Sequence, residues 1–154
     1  MNFTILSSLV LLPTIGALFL LFTRSNNENN ITIKYVSLFT SLVNFFLSIY
    51  LWILFDQSTS KFQFVEDRTW IEGFINYKVG IDGISILFII LTTFISVLCI
   101  ISVNNSIKSR LRDFLIAILV MESFMIGVFC SLDLFVFYLF FEAGLIPMFL
   151  IIGI

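Results

Sequence analysis

FLIAILVMESFMIGVFCSLDLFVFYLFFEAGLIPMFLIIGI, from Phe114 to Ile154, decides the architecture of this protein. Its 41 residues carry three charges, at Glu122, Asp133 and Glu142. One unbroken helix of that length would measure about 60 Å at 1.5 Å per residue, twice the roughly 30 Å of bilayer hydrocarbon. The chain must therefore turn. Ser131-Leu132-Asp133 is the one place in the run with turn and helix-capping chemistry. Two antiparallel membrane spans follow, over 114–131 and 133–154.

Upstream, further charge gaps set further spans. Residues 1–23 are uncharged and predict a first helix over about 4–22. It does not read as a signal peptide, because no basic segment precedes it and no small-residue cleavage site follows. RSNNENNITIK (Arg24 to Lys34) is a polar loop, 35–55 a second span, and 83–103 a third. NNSIKSRLRD (Asn104 to Asp113) is a compact basic loop. The fold class is thus all-α transmembrane, with five spans in a single membrane domain over 1–154. Composition agrees. The chain is 60% hydrophobic and 12% charged, with 20 Phe, whereas soluble domains carry about 25% charge. A net charge of -2 with 8 dispersed Lys and Arg makes no case for a nucleic-acid partner.

Between spans two and three, Asp56 to Asp82 is the longest piece outside the membrane. KFQFVEDRTW and INYKVGID alternate apolar and polar residues, which predicts a small extramembrane β-hairpin. Trp52, Trp70 and Tyr77 belong near the interface, where amphipathic rings are favoured. The first and third loops hold Arg24, Lys34, Lys108, Arg110 and Arg112, against Lys61, Arg68 and Lys78 in the second. The positive-inside rule then places the N-terminus outside and the C-terminus inside.

The inventory removes several chemistries. Without His there is no imidazole metal site, haem ligation or His general base. Cys99 and Cys130 form neither a CxxC pair nor an iron–sulfur pattern. No GxGxxG or phosphate-binding GxxxxGK[ST] occurs.

Glu122 and Glu142 each lie ten positions from Leu132, one on either side. Ten helical residues rise about 15 Å, so the folded hairpin brings both carboxyl groups to mid-depth on adjacent antiparallel helices. Ionising a carboxyl group there is costly, and one that gains and loses a proton at that depth is the unit of a proton relay. Pro147 cannot donate to the Ala143 carbonyl, which predicts a helix break beside Glu142, deformable further through Gly144. The competing reading is structural: an intramembrane Glu can simply hydrogen-bond a neighbouring helix. Asp82 and Asp133 read as helix caps, Pro13 as a tolerated kink, and Asn44, Thr92, Thr93 and Ser96 as interhelical packing. The Phe-rich faces read as lipid contact or core.

YKVGIDGISILFIILTTF (Tyr77 to Phe94) and SLDLFVFYLFFEAGLIPMFLIIGI (Ser131 to Ile154) closely resemble the subunit 4 family of mitochondrial NADH:ubiquinone oxidoreductase, respiratory complex I. KFQFVEDRTWI looks like that family's loop before the first motif, and the FFE-x-x-L-x-P pattern is specific to antiporter-like subunits. The resemblance covers nearly the whole chain. It implies a proton-translocating membrane-arm subunit of a redox enzyme, in which this chain holds no redox cofactor and no metal. Flavin and iron–sulfur clusters are expected in other subunits. It also implies that Glu142 matches the family's fifth-helix pumping glutamate and Glu122 its fourth-helix glutamate.

Family members have about fourteen helices, and the lysine that pairs with the pumping glutamate, on the seventh, falls outside these 154 residues. The chain is therefore expected to be the N-terminal part of a larger antiporter-like subunit, completed by a second polypeptide from a split gene, with a truncated product as the alternative, and flanked by antiporter-like subunits 2 and 5. The expected location is the mitochondrial inner membrane, N-terminus toward the intermembrane space and C-terminus toward the matrix, with a bacterial inner membrane as the alternative. The Phe-, Ile- and Asn-rich composition and the lack of a presequence suit an organelle-encoded product. A subunit of a monovalent cation/proton antiporter and a purely structural scaffold are the other functional readings.

Overall fold

A computed structural model describes residues 5–24, 30–73, 75–103 and 109–153. Thr4, Lys108 and Ile154, used above to place span ends and loop charge, lie outside the described residues, as does the Trp70 side chain. In chain order the elements are α1 (Ile5–Phe22), α2 (Asn30–Leu54), β1 (Gln63–Ile71), β2 (Ile75–Ile81), α3 (Gly83–Ser102), α4 (Leu111–Cys130) and α5 (Leu134–Gly153). All five helices are long and apolar enough to cross a membrane.

Two helices begin before the last charge of the preceding loop. α2 starts at Asn30 and takes in Lys34, and α4 starts at Leu111 and takes in Arg112 and Asp113. A helix can extend past the hydrocarbon edge because its end turns are satisfied by water there, and long basic side chains reach the interface from within it. The Arg112 guanidinium does more, donating to the Thr23 carbonyl just beyond α1 at 2.9 Å. That contact places a cation at the negative end of α1.

α4 is the central helix. It packs against α1, α3 and α5 and also meets α2, while α5 packs against α4 and touches β2. The α4–α5 contact is close because Gly127 faces the Phe140 ring. A Cβ at Gly127 would lie 2.8 Å from that ring, nearer than carbon atoms can pack. Ser131 leaves α4 in extended conformation, and the Asp133 carboxylate accepts from the Phe135 N–H at 2.8 Å to open α5. The turn expected at 131–133 and its cap are both present.

The hairpin closes over one end of the bundle. β1 and β2 are antiparallel, with Arg68 opposite Tyr77 and Asp67 opposite Lys78, and a bulge between Gln63 and Glu66. Val79 bridges Ser131, and the Leu132 N–H donates to the Lys78 carbonyl at 2.8 Å, so the strand edge is pinned to the α4–α5 turn. Asp82 then caps α3, accepting from the Ser85 N–H at 2.8 Å. This bond holds the Asp82 carboxyl below its ordinary range.

Two apolar clusters fill the ends of the bundle. Leu6, Leu9, Leu51, Ile86, Ile89 and Ile126 pack beneath the hairpin. Leu20, Ile33, Ile100, Leu115 and Leu119 pack at the opposite end. Between them the buried residues change character. Ser37, Ser41, Asn44, Ser48, Thr93, Ser96, Glu122 and Ser123 are all buried. The interior of this membrane bundle therefore has a polar middle.

Candidate functional site

The polar middle is built on one stripe of α2. Its buried residues are Ile33, Ser37, Ser41, Asn44, Ser48 and Leu51, spaced three and four apart, so they share one helical face. Small residues on that face let α3 and α4 approach closely, as in other packed membrane helices. Ser48 and Thr93 meet across α2 and α3 at 3.0 Å. Ser123 of α4 donates to the Val10 carbonyl of α1 at 2.5 Å. That bond falls on the turn of α1 disturbed by Pro13, which lies inside the helix.

Glu122 sits at the centre of this layer, only 2% exposed. The Asn44 amide donates to its Oε1 at 2.8 Å. Ser96 of α3 stands beside the same carboxyl, its own hydroxyl directed to the Thr92 carbonyl at 3.0 Å. Thus α2, α3 and α4 each contribute a polar group to one point. A cavity of about 370 Å³ between α3 and α4 reaches Glu122 from the Ser102 end of α3, lined also by Phe114 and Met121. Asn44, read from sequence as a packing residue, is the direct partner of Glu122. That pairing spans 78 positions and leaves no mark on local sequence.

Glu142 occupies the same depth by a symmetric count. It lies eight residues after Leu134, the start of α5, while Glu122 lies eight residues before Cys130, the end of α4. Yet the two carboxyl groups do not come together. Glu142 is on the exposed face of α5, beside Leu139, Leu145, Ile146 and Phe149 of its own helix. The Tyr138 hydroxyl, one turn back, is its neighbour. Glu122 points into the bundle and Glu142 points away from it. Among the described residues of α5, Val136 and Pro147 are the buried ones.

The break expected at Pro147 is not a break in the helix. α5 runs continuously from Leu134 to Gly153 with Pro147 inside it. Its ring is buried, and it lines a cavity shared with Ala117 and Val120 of α4. The missing N–H is absorbed within a continuous helix, one turn beyond Glu142. Flanking helices allow such prolines in membrane spans.

At the hairpin end a second polar group forms. Ser7 of α1 donates to Glu66 of β1, and its hydroxyl lies 3.3 Å from that of Tyr77. Burial raises the Tyr77 phenol above its ordinary value. Among the described residues, no three His, Cys, Asp or Glu side chains gather as a metal site.

No family model matches the chain. Individual relatives do. It is 47% identical over 150 residues to NADH-ubiquinone oxidoreductase chain 4 of Marchantia polymorpha, covering 97% of this chain and 30% of that protein. It is 42% identical to NADH-quinone oxidoreductase subunit M of Rickettsia typhi, covering 97% and 31%. Among solved structures, respiratory complex I from Thermus thermophilus with bound NADH contains a chain with the same fold. The TM-score is 0.73 at 26% identity, over 92% of this chain and 27% of that one. The chain spans under a third of the length of these relatives. Over nearly all of its own length, it is a relative of NADH-ubiquinone oxidoreductase chain 4 and of NADH-quinone oxidoreductase subunit M.

Proposed function

We propose that this chain works in the proton-translocating membrane arm of an NADH:ubiquinone oxidoreductase, a respiratory complex I, with Glu142 as its protonatable intramembrane group. The observation that carries the reading is the match of 97% of the chain to proteins named as chain 4 of that enzyme. The geometry supports the role of Glu142. A carboxyl group at mid-depth on the outer face of a membrane helix is costly against lipid, and such groups normally face protein or a water-filled path. Its natural complement is a basic group on a helix beyond these 154 residues. Quinone reduction elsewhere then shifts the charge balance along the arm, and Glu142 alternates between an ion pair and the protonated acid.

In this reading the redox chemistry, with its flavin and iron–sulfur clusters, belongs to other subunits. The partners are the polypeptide carrying the remaining helices, expected as a second chain, and the antiporter-like subunits 2 and 5. Intact-mass measurement of the purified complex distinguishes a separate chain from a continuous one. The location is the mitochondrial inner membrane, a reading supported by similarity to a plant protein named as the ubiquinone enzyme. The loop basic residues favour the hairpin end in the intermembrane space and the Arg110 and Arg112 end in the matrix.

Glu142→Gln in the assembled enzyme is the test. The variant is expected to lower the number of protons moved per NADH oxidised. An unchanged ratio, with the variant present in the complex, removes Glu142 from the mechanism.

A further inference from the structure

The polar middle of the bundle leaves a hydrogen-bonding deficit concentrated at one place. Three buried atoms there have no partner among the described residues: Ser41 Oγ, Asn44 Oδ1 and Glu122 Oε2. Ser41 and Asn44 are both fully buried, and Glu122 is nearly so. The deficit does not depend on the amide orientation. Whichever end of the Asn44 amide faces Glu122 Oε1, the other end and the second carboxyl oxygen are left unmet. Ser96 stands beside the same carboxyl, but its hydroxyl is directed to the Thr92 carbonyl and Glu122 Oε2 is left without a hydrogen bond.

Ser41 differs from its neighbours in a telling way. Ser37 and Thr40 donate to the carbonyls four residues back, Ile33 and Val36, each at 2.9 Å. This is the ordinary arrangement for hydroxyls in apolar helices. Ser41 makes no such bond. It lies one turn from Asn44 on the same buried stripe, and side chains three apart sit about 5–6 Å from each other. That spacing, which is between Cβ atoms, puts the two polar side chains within reach of one shared water molecule, and buried waters make about three hydrogen bonds.

We propose that the junction of α2, α3 and α4 binds an ordered water molecule held by Ser41, Asn44 and Glu122, with Asn44 as the positioning residue that turns one carboxyl oxygen toward it. The donors and acceptors balance in both states of the acid. With Glu122 ionised, the water donates to Glu122 Oε2 and Asn44 Oδ1 and accepts from Ser41. With Glu122 protonated, the acid donates to the water, which donates to Asn44 Oδ1 and to Ser41 Oγ, and the Ser41 proton turns to the Ser37 carbonyl. One site therefore serves both states by reversing hydrogen bonds without moving a helix. It stands on the geometry of the bundle whether or not Glu122 carries transported protons.

The test is a density map of the intact membrane assembly containing this chain, at a resolution that shows ordered water. A peak within hydrogen-bonding distance of Ser41 Oγ, the Asn44 amide and the Glu122 carboxyl is expected. A direct two-bond acid–amide pair between Glu122 and Asn44, with no peak beside Ser41, overturns the proposal. Infrared spectroscopy gives an independent reading on the same assembly in D₂O. The carboxyl band lost in Glu122→Gln should shift promptly in the unmodified protein, and at least tenfold more slowly once Ser41→Val and Asn44→Leu fill the site. Equal rates, with both variants assembled, overturn it as well.

Discussion

Asn44 shows how much a single side chain can decide inside a membrane. Its amide meets the Glu122 carboxyl at 2.8 Å with both groups buried, so removing either leaves the other short of a partner in an apolar interior. Asn44→Leu is expected to lower the unfolding free energy by about 1–2 kcal/mol, most of it from the carboxyl group left without its donor. Asn44→Gln, with one more methylene, should retain the bond and recover part of the loss. Thermal unfolding of the purified assembly measures both, and equal stability of the Leu variant and the parent would show that the pair contributes nothing. The identity of this partner was not legible in the sequence. Glu122 drew attention because a charge in an apolar run is conspicuous, whereas Asn44 and Ser41 look like the small polar residues that line any close helix contact.

At the scale of elements, legibility followed the strength of the physical constraint. Charge gaps and bilayer thickness located five helices, and alternation located the hairpin, because each is a rule about whole segments. Helix ends were less readable. Counting from Lys34 delayed α2 by five residues, since the helix begins at Asn30 and runs past the charge. The facing of Glu142 was not readable at all. The apolar residues of α5 go all round it, so periodicity assigns it no inner face, and its rotation is fixed by packing: Phe140 against Gly127 and Phe124, with Val136 and Pro147 buried. Gly127→Val should therefore separate α4 from α5 and cost about 1–3 kcal/mol, the usual range for overpacking. Adding Phe140→Leu should restore part of the loss, as a double-mutant cycle in unfolding experiments would reveal. Asp82 gives an element-level prediction with a pH sign. Its folded-state carboxyl lies below the ordinary 3.8 because it accepts from the Ser85 N–H. Its ionic contribution is full above that value and is lost as pH falls through the lower folded one. Asp82→Ala should cost about 0.5–2 kcal/mol as a lost cap. Asp82→Asn should keep the cap and flatten the acid limb of the stability profile.

The whole molecule keeps its two intramembrane acids in opposite relations to the bundle. Glu122 points inward and takes its Asn44 donor from within these five helices, and Glu142 is turned outward at the same depth on a helix that buries little of its surface. An outward acid adds nothing to the packing of α5 on α4, while a charge at the centre of a membrane helix opposes insertion by about 2.5–3.5 kcal/mol on the biological scale. The two acids should therefore respond differently to the same change. Glu142→Leu is expected to ease insertion of α5 and leave the stability of the five-helix packing unchanged, yet to lower proton translocation in the assembled enzyme. Glu122→Leu is expected to loosen α2 from α4, because it strands the Asn44 amide in an apolar interior. Translation into membranes with a glycosylation reporter on α5 measures the first effect, and limited proteolysis of the α2–α4 region measures the second. If Glu142→Leu instead loosened the packing of α5 on α4, the carboxyl would be holding the bundle together, and its assignment to a partner outside these helices would fail.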